Sequence, residues 1–268
     1  MTNRVSDRAS PAVRALFSRH GPIWQRAFTV LDGTAVGRVL TDDATAPTWA
    51  AVHEHSDDPA LFLVGALTRE LVADLIADLR RERNVVVSVT PDDPLLSLLP
   101  PDPDYDGGAI DFDYRTPEVD LEPFIVPPDG LHLARVDLQL LPRLEWGAWA
   151  ASSDEAALEH GLGFCLLDGE QVVAEAFAGP ITGGLLEMGT ITHEDYRRRG
   201  LARIVCARTI LEAERMGHHT WWNVDDENIP SIHLARALGY RSEHRYRVLA
   251  WLSSEGDADT DATPTEPD

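Results

Sequence analysis

The sequence predicts an α/β protein of the α+β type, built as two related domains, each a twisted mixed sheet flanked by helices. Three observations carry that prediction. Along residues 130–252, stretches of period two and period 3.6 alternate in the order β-α-α-β-β-β-α-β-α-β. Residues 1–116 repeat much of that pattern at a constant offset of 136 positions. Between the two, Arg115–Asp129 holds Pro117, Pro123, Pro127 and Pro128, which suits an extended linker at 117–129.

Each element of the second domain has a local reason. Leu131–Leu138 alternates as a strand does. Leu141–Ala150 and Asp154–His160 read as helices, the latter with Ser152 or Ser153 as N-cap and Gly161 as its stop. Leu162–Leu167 and Gln171–Ala178 flank Asp168-Gly169, a hairpin signal. Leu185–Thr192 is a further strand. Leu201–Met216 sets Leu201, Ile204, Val205 and Leu211 toward a core and ends at Gly217. Thr220–Val224 reads as a strand, and Ser231–Leu238 as a helix with Pro230 in its first turn and Gly239 past its end. Arg245–Leu252 is the expected closing strand.

The first domain aligns on the second without gaps. Phe28–Val36 falls on the hairpin Phe164–Val172, and Leu71–Leu79 falls inside Leu201–Met216. Val85–Val89 falls on Trp221–Asp225, Pro94 on Pro230, and Ala109–Arg115 on Arg245–Trp251. A register held this long predicts a duplication.

Composition narrows the function. The 268 residues carry a formal charge of −22 and no lysine, which argues against nucleic acid or an anionic membrane as partner. No apolar run suits a membrane span, and the N-terminus lacks the apolar core of a secretory signal, so a cytoplasmic location is expected. Cys165 and Cys206 have no metal-ligand spacing and read as core thiols; His53-Glu54-His55 and His218-His219 lack further ligands, so no metal is expected. Residues 253–268 carry six acids and no large apolar side chain, the composition of a disordered tail.

Against that charge, His193-Glu194-Asp195-Tyr196-Arg197-Arg198-Arg199-Gly200-Leu201-Ala202-Arg203 places three arginines and a glycine where a strand gives way to a helix. A helix start leaves amide hydrogens unpaired and carries partial positive charge, so cations there cost stability unless an anion is expected. Gly200 and Ala202 leave room for a phosphate to approach the backbone, and guanidinium groups match phosphate oxygens in pairs.

Here the sequence resembles the GNAT superfamily of N-acyltransferases, which use acetyl-CoA. Arg197-Arg198-Arg199-Gly200-Leu201-Ala202 matches the family's pyrophosphate loop, (Gln/Arg)-x-x-Gly-x-(Gly/Ala). Leu186-Glu187-Met188-Gly189-Thr190-Ile191 resembles its central splayed strand. Trp222–Asn228 and Ser231…Leu238-Gly239-Tyr240 resemble the strand and helix that end its cofactor site. The resemblance covers about residues 130–251 and implies two GNAT-like domains, at 1–116 and 130–252, with splayed central strands in the second. It implies acetyl-CoA as cosubstrate. Backbone around Arg197, Arg198, Arg199, Gly200, Leu201, Ala202 and Arg203 would hold its pyrophosphate. Met188, Gly189, Thr190 and Ile191 would pair with its pantetheine arm, and Asn228 and Ser231 would meet it from the far side. Met188 or Gly189 would also offer an amide to the oxyanion, with Gly189 marking a bulge.

The implied acceptor is a primary amine on a small molecule or peptide. A lysine-like amine is mostly charged at pH 7, so a general base is useful. Glu187, beside the expected thioester, is the candidate base. Ala235 stands where many members carry a tyrosine that serves as acid; Tyr240, Tyr246 and His193 are the substitutes in principle, with Tyr240 the candidate acid, and thiolate is a fair enough leaving group that a dedicated acid is not obligatory. In the first domain Leu61-Phe62-Leu63-Val64 stand opposite the arginine loop, so a degenerate domain without cofactor is expected. The alternatives are an inactive protein that binds or senses acyl-CoA, and an interaction protein with no cofactor.

Overall fold

The computed structural model describes residues 4–6, 10–17, 22–56, 58–145 and 151–253. The first half of the chain forms strand β1 (Arg4–Ser6), helices α1 (Pro11–Leu16) and α2 (Gln25–Asp32), strands β2 (Gly37–Thr41), β3 (Trp49–Glu54) and β4 (Ala60–Gly65), helix α3 (Arg69–Leu79), and strands β5 (Val85–Val89) and β6 (Tyr105–Arg115). The second half forms β7 (Leu131–Arg135), α4 (Asp154–His160), β8 (Leu162–Asp168), β9 (Gln171–Ala178), β10 (Leu185–Thr192), α5 (Leu201–Arg215), β11 (His219–Asp225), α6 (Ile229–Ala237) and β12 (Tyr240–Trp251). Side-chain caps start four of the helices: Ser10, Thr68, Ser153 and Asn228 each accept an amide hydrogen from the first turn of α1, α3, α4 and α6.

Strands β1 to β4 make a four-stranded antiparallel sheet in chain order. The other eight form one mixed sheet in the order β5-β12-β6-β11-β10-β9-β8-β7. The two halves exchange their last strands in it. Strand β6, from the first half, pairs with β11 of the second; β12, from the second, pairs with β5 of the first. β6 and β12 then pair antiparallel with each other from Tyr240↔Arg115 to Ala250↔Tyr105. Ile110 pairs with Arg245 and Ala109 with Tyr246, and these two pairs are each other's images at the offset of 136. A pseudo-twofold axis therefore crosses the sheet between them, as a duplication requires.

The exchange extends into the cores. Ile110 and Phe112 of β6, both under 2% exposed, pack with Leu186, Val205, Ile210 and Trp222 beneath α5. In return, Leu249 and Trp251 of β12 pack with Leu75, Ile76, Val85 and Val87 beneath α3. A third core sits on the opposite face, where α1 and α2 cover Val39, Val52, Phe62 and also Trp221 of β11. Truncating an aromatic side chain such as Phe112 costs about 3–5 kcal/mol, so each half depends on a strand donated by the other.

The offset of 136 holds from α3 to the last strand and breaks before it. Phe28–Val36 is not a hairpin: it is the end of α2 and the following turn, with Gly33 at φ 77° closing the helix. An Asp-Gly pair serves either purpose, because glycine supplies the left-handed residue that both a hairpin turn and a helix stop need. The break lies between strand and helix. β10 reaches α5 through His193–Gly200, whereas β4 reaches α3 through Ala66–Thr68 alone. Leu61–Val64 are thus strand residues, and the first half differs from the second here by a shorter connection rather than by substitutions within a loop of equal length. Leu141–Ala150 was expected as a helix; the structure has a single 3-10 turn at Leu141–Arg143 that ends at extended Leu144, and 146–150 lie outside the described residues, as do 254–268 of the expected tail. The closing strand begins at Tyr240, directly after Gly239, and not at Arg245. Gly189 marks no bulge, since it pairs in register with Phe177; the irregularity is between Leu166 and Leu167 of β8. Cys165 and Cys206 are free and buried, and burial pushes their thiols up to about 11 and 12.

Candidate active site

Strands β10 and β11 run parallel but pair only over Leu185–Glu187 with His219–Trp221. From Met188 onward β10 keeps its bonds to β9, from Met188↔Ala178 to Thr192↔Ala174, and leaves β11, which turns to β6. The side of Met188, Gly189, Thr190 and Ile191 that faces β11 is therefore unpaired in a V between two neighbouring strands. Thr190 donates its hydroxyl to the carbonyl of Glu175 at 2.7 Å, so its side chain is committed to β9 while its backbone faces the V.

The V leads to the arginine loop. A 3-10 turn at Glu194–Tyr196 follows β10, and Arg198 and Gly200 then both take left-handed backbone, φ 63° and 79°. α5 starts there with no acidic residue in its first turn and, unlike the four capped helices, with no side-chain cap. A Cβ on Gly200 would meet nothing closer than the Arg203 guanidinium at 3.9 Å, so the approach to these amides is open. The arginines are held by neutral partners. Arg197 donates to the carbonyl of Thr192 and Arg199 to that of Asp195, each at 3.2 Å. Arg199 also stacks on Tyr196, whose hydroxyl donates to Asp168, and Arg203 stacks on Phe124. Among the described residues no carboxylate lies within 4.0 Å of Arg197, Arg198, Arg199 or Arg203. Uncapped amides and unpaired guanidinium groups together make an anion site, and the residues present fit a diphosphate.

Glu187 sits at the fork of the V. Its neighbours Leu186 and Met188 face α5, so its own side chain faces α2, and it is 8% exposed. Arg26 of α2 lies 3.9 Å away. Burial pushes the Glu187 carboxyl up to about 8; Arg26 opposes this, while Asp111, Asp58 and Glu54 add to it. Asp111 of β6 is fully buried and accepts from Asn223 at 2.6 Å, from the Ile23 amide at 3.1 Å and from the Tyr246 hydroxyl. Burial pushes it to about 6 against those three bonds. Beside this group a cavity of about 380 Å³ opens between the halves, lined by Arg26, Asp58, Tyr105, Asn223 and Asp225 among others.

Residues 148–249 match the family of GNAT acetyltransferases. The splayed parallel pair that ends in an arginine-ringed helix start lies within this matched stretch. Over 130 residues the chain is 32% identical to an uncharacterized N-acetyltransferase, YdfB, of Bacillus subtilis; the match takes in 45% of this chain, which spans about half the length of that relative (48%). The fold extends further. A GCN5-related N-acetyltransferase-like protein from Streptococcus suis superposes with a TM-score of 0.67 at 22% identity, over 88% of this chain and 96% of its own. A tandem GNAT protein from the clavulanic acid biosynthesis pathway superposes with a TM-score of 0.57 at 12% identity, over 89% and 91%. Both halves thus have the GNAT-like fold, and acyl transfer is the chemistry of the family.

Within residues 130–252 the remaining sequence candidates have structural duties. Tyr240 is 0% exposed and its hydroxyl bonds Thr220 inside the core, with burial raising its pKa above the ordinary phenol value. Ala235 is equally buried. Asn228 caps α6 through the Ser231 amide at 3.2 Å, and Ser231 accepts from the Trp222 indole at 3.1 Å, so both fix the rim of β11. Sequence reasoning missed Arg26 and Asp111; each looks like an ordinary charged residue until the exchange of strands brings it to Glu187. Among the described residues no three His, Cys, Asp or Glu side chains gather as metal ligands, and no helix is long and apolar enough to cross a membrane.

Proposed function

We propose that this protein is an N-acetyltransferase that moves an acetyl group from acetyl-CoA to a primary amine. The observation that carries the reading is the uncapped start of α5, ringed by unpaired arginines at the open end of the β10–β11 V. Acetyl-CoA, when bound, supplies the activated acyl group as a thioester. Amides and guanidinium groups of Arg197–Arg203 bind its pyrophosphate, the free edge of Met188–Ile191 pairs with its pantetheine arm, and the Met188 or Gly189 amide faces the carbonyl oxygen. Glu187 accepts the proton that the amine sheds. Its carboxyl at about 8 is matched to a base working near neutral to alkaline pH. The acceptor enters from the α2 side through the 380 Å³ cavity, where Asp58 and Asp225 suit a protonated amine on a small molecule or peptide.

A second reading, a protein that binds acyl-CoA without turnover, draws support from the buried Tyr240 and Ala235, which leave no dedicated acid in the V. Thiol release from acetyl-CoA with a panel of amines, for wild type and Glu187→Gln, separates the two. Catalysis predicts a loss of turnover of about 10²-fold or more in the variant, with CoA affinity by calorimetry kept within about twofold. Wild-type binding without turnover for any amine supports the sensor, and no heat with CoA removes both.

A further inference from the structure

The half without a phosphate loop reaches into the site of the other half at one charged residue. Arg26 is 9% exposed and cannot leave its place: it donates to Glu54 at 2.7 Å, to the Ser56 hydroxyl at 3.0 Å and to the carbonyl of Asp58. Glu54 is fixed in turn, accepting from the Ser56 amide and hydroxyl, both at 2.9 Å. These contacts use Nη2 of the guanidinium. The Nε edge points across the junction to Glu187, 3.9 Å away. Burial works against the charge of Arg26, and Glu54, Glu187 and Asp58 outweigh it, so the group stays cationic.

We propose that Arg26 is a positioning residue for acyl transfer: it holds the Glu187 carboxyl at the fork of the V and favours release of its proton, which makes the proton-accepting form reachable at a lower pH. The inference rests on Glu187 being the base. The charges that face Glu187 come from four elements: Arg26 from α2, Glu54 from β3, Asp58 from the segment after β3, and Asp111 from β6. Arg26 is the one cation among them. The three acids oppose loss of the Glu187 proton, so without Arg26 the carboxyl would hold its proton to a still higher pH. The first half would then serve the chemistry of the second without a phosphate loop of its own.

The test reads the pH at which kcat/KM for an amine falls on the acid side. An opposite charge within ~4–6 Å lowers a carboxyl pKa by ~1–3 units. Arg26→Gln is therefore expected to move the acid limb upward by about one unit or more, with about a tenfold loss of rate at pH 7. Glu54→Gln has one acceptor oxygen in place of two, which keeps one of the two Ser56 bonds, and it removes an opposing charge, so it is expected to move the limb downward. Arg26→Lys keeps the charge and should hold the limb within about half a unit of wild type. CoA affinity, measured by calorimetry, should stay within about twofold in all three. Opposite displacement by two neighbouring substitutions is something a purely structural role would not produce. If Arg26→Gln fails to fold, Glu54→Gln and Arg26→Lys still decide the matter. An acid limb that stays fixed in Glu54→Gln, or whose rate falls evenly at every pH, overturns the inference. Glu187→Gln keeps the two ideas apart: should it retain the acid limb, the base assignment fails, whereas its loss of the limb together with unmoved limbs in Arg26→Gln and Glu54→Gln refutes the role of Arg26 alone.

Discussion

Replacing Glu187 by glutamine is expected to stabilise the fold, and to do so more strongly as pH rises. The folded carboxyl is pushed up to about 8 by burial, from an ordinary value of 4.5. Below 4.5 the folded and unfolded chains both hold the proton, and the group contributes its full favourable share. Between 4.5 and about 8 the folded chain keeps a proton that the unfolded chain has released, so stability falls by about 1.4 kcal/mol per pH unit. Above about 8 both states are ionised and the loss is complete. Over the whole window the loss is at most ~5 kcal/mol, and water that reaches the cleft reduces it to ~2–3 kcal/mol. Glutamine has nearly the same shape and does not titrate, so its advantage over wild type should grow across that window and then level off. Urea unfolding of both proteins at about pH 5, 7 and 9 measures the gap directly. A gap that stays flat with pH would show that the Glu187 carboxyl is not held in a low-dielectric site, and would remove the physical basis for its tuning.

Two further outcomes follow from the same geometry. Gly200→Val forces a β-branched residue onto a backbone at φ 79°, at a cost of about 1–2 kcal/mol, and should weaken CoA binding by about tenfold in calorimetry; unchanged affinity would place the diphosphate elsewhere. Tyr240→Phe removes a core hydrogen bond to Thr220, so it should lower stability by about 1 kcal/mol and leave the pH profile of turnover untouched; a lost alkaline limb would restore Tyr240 as the acid.

The second half was nearly fully legible because its elements are marked by local chemistry. Ser153 caps, Gly217 and Gly239 stop, and the apolar face of α5 repeats at helical spacing, so each element could be read without knowing its neighbours. The turn from strand to helix at the arginine run was legible for the same reason: it is written in eleven consecutive residues. What failed depends on distant partners. Asp32-Gly33 carries one signal for two structures, and only the packing of α2 on β3 selects between them. The pairing of β6 with β11 cannot be read from either strand, since both alternate alike and nothing local names a partner. Arg26 and Asp111 were invisible as site residues because 161 and 76 positions separate them from Glu187, and only the packing of α2 and the shared sheet, respectively, bring them near it.

The crossing of final strands between halves has a further outcome for how such a chain can change. Neither copy owns a complete sheet, so neither can be discarded or replaced by itself. A gene that kept only the later copy would encode a sheet ending at β11, with an open edge and a void where Phe112 sits. Though it has no phosphate loop of its own, the earlier copy supplies masonry to its twin, and whatever keeps the twin folded keeps both.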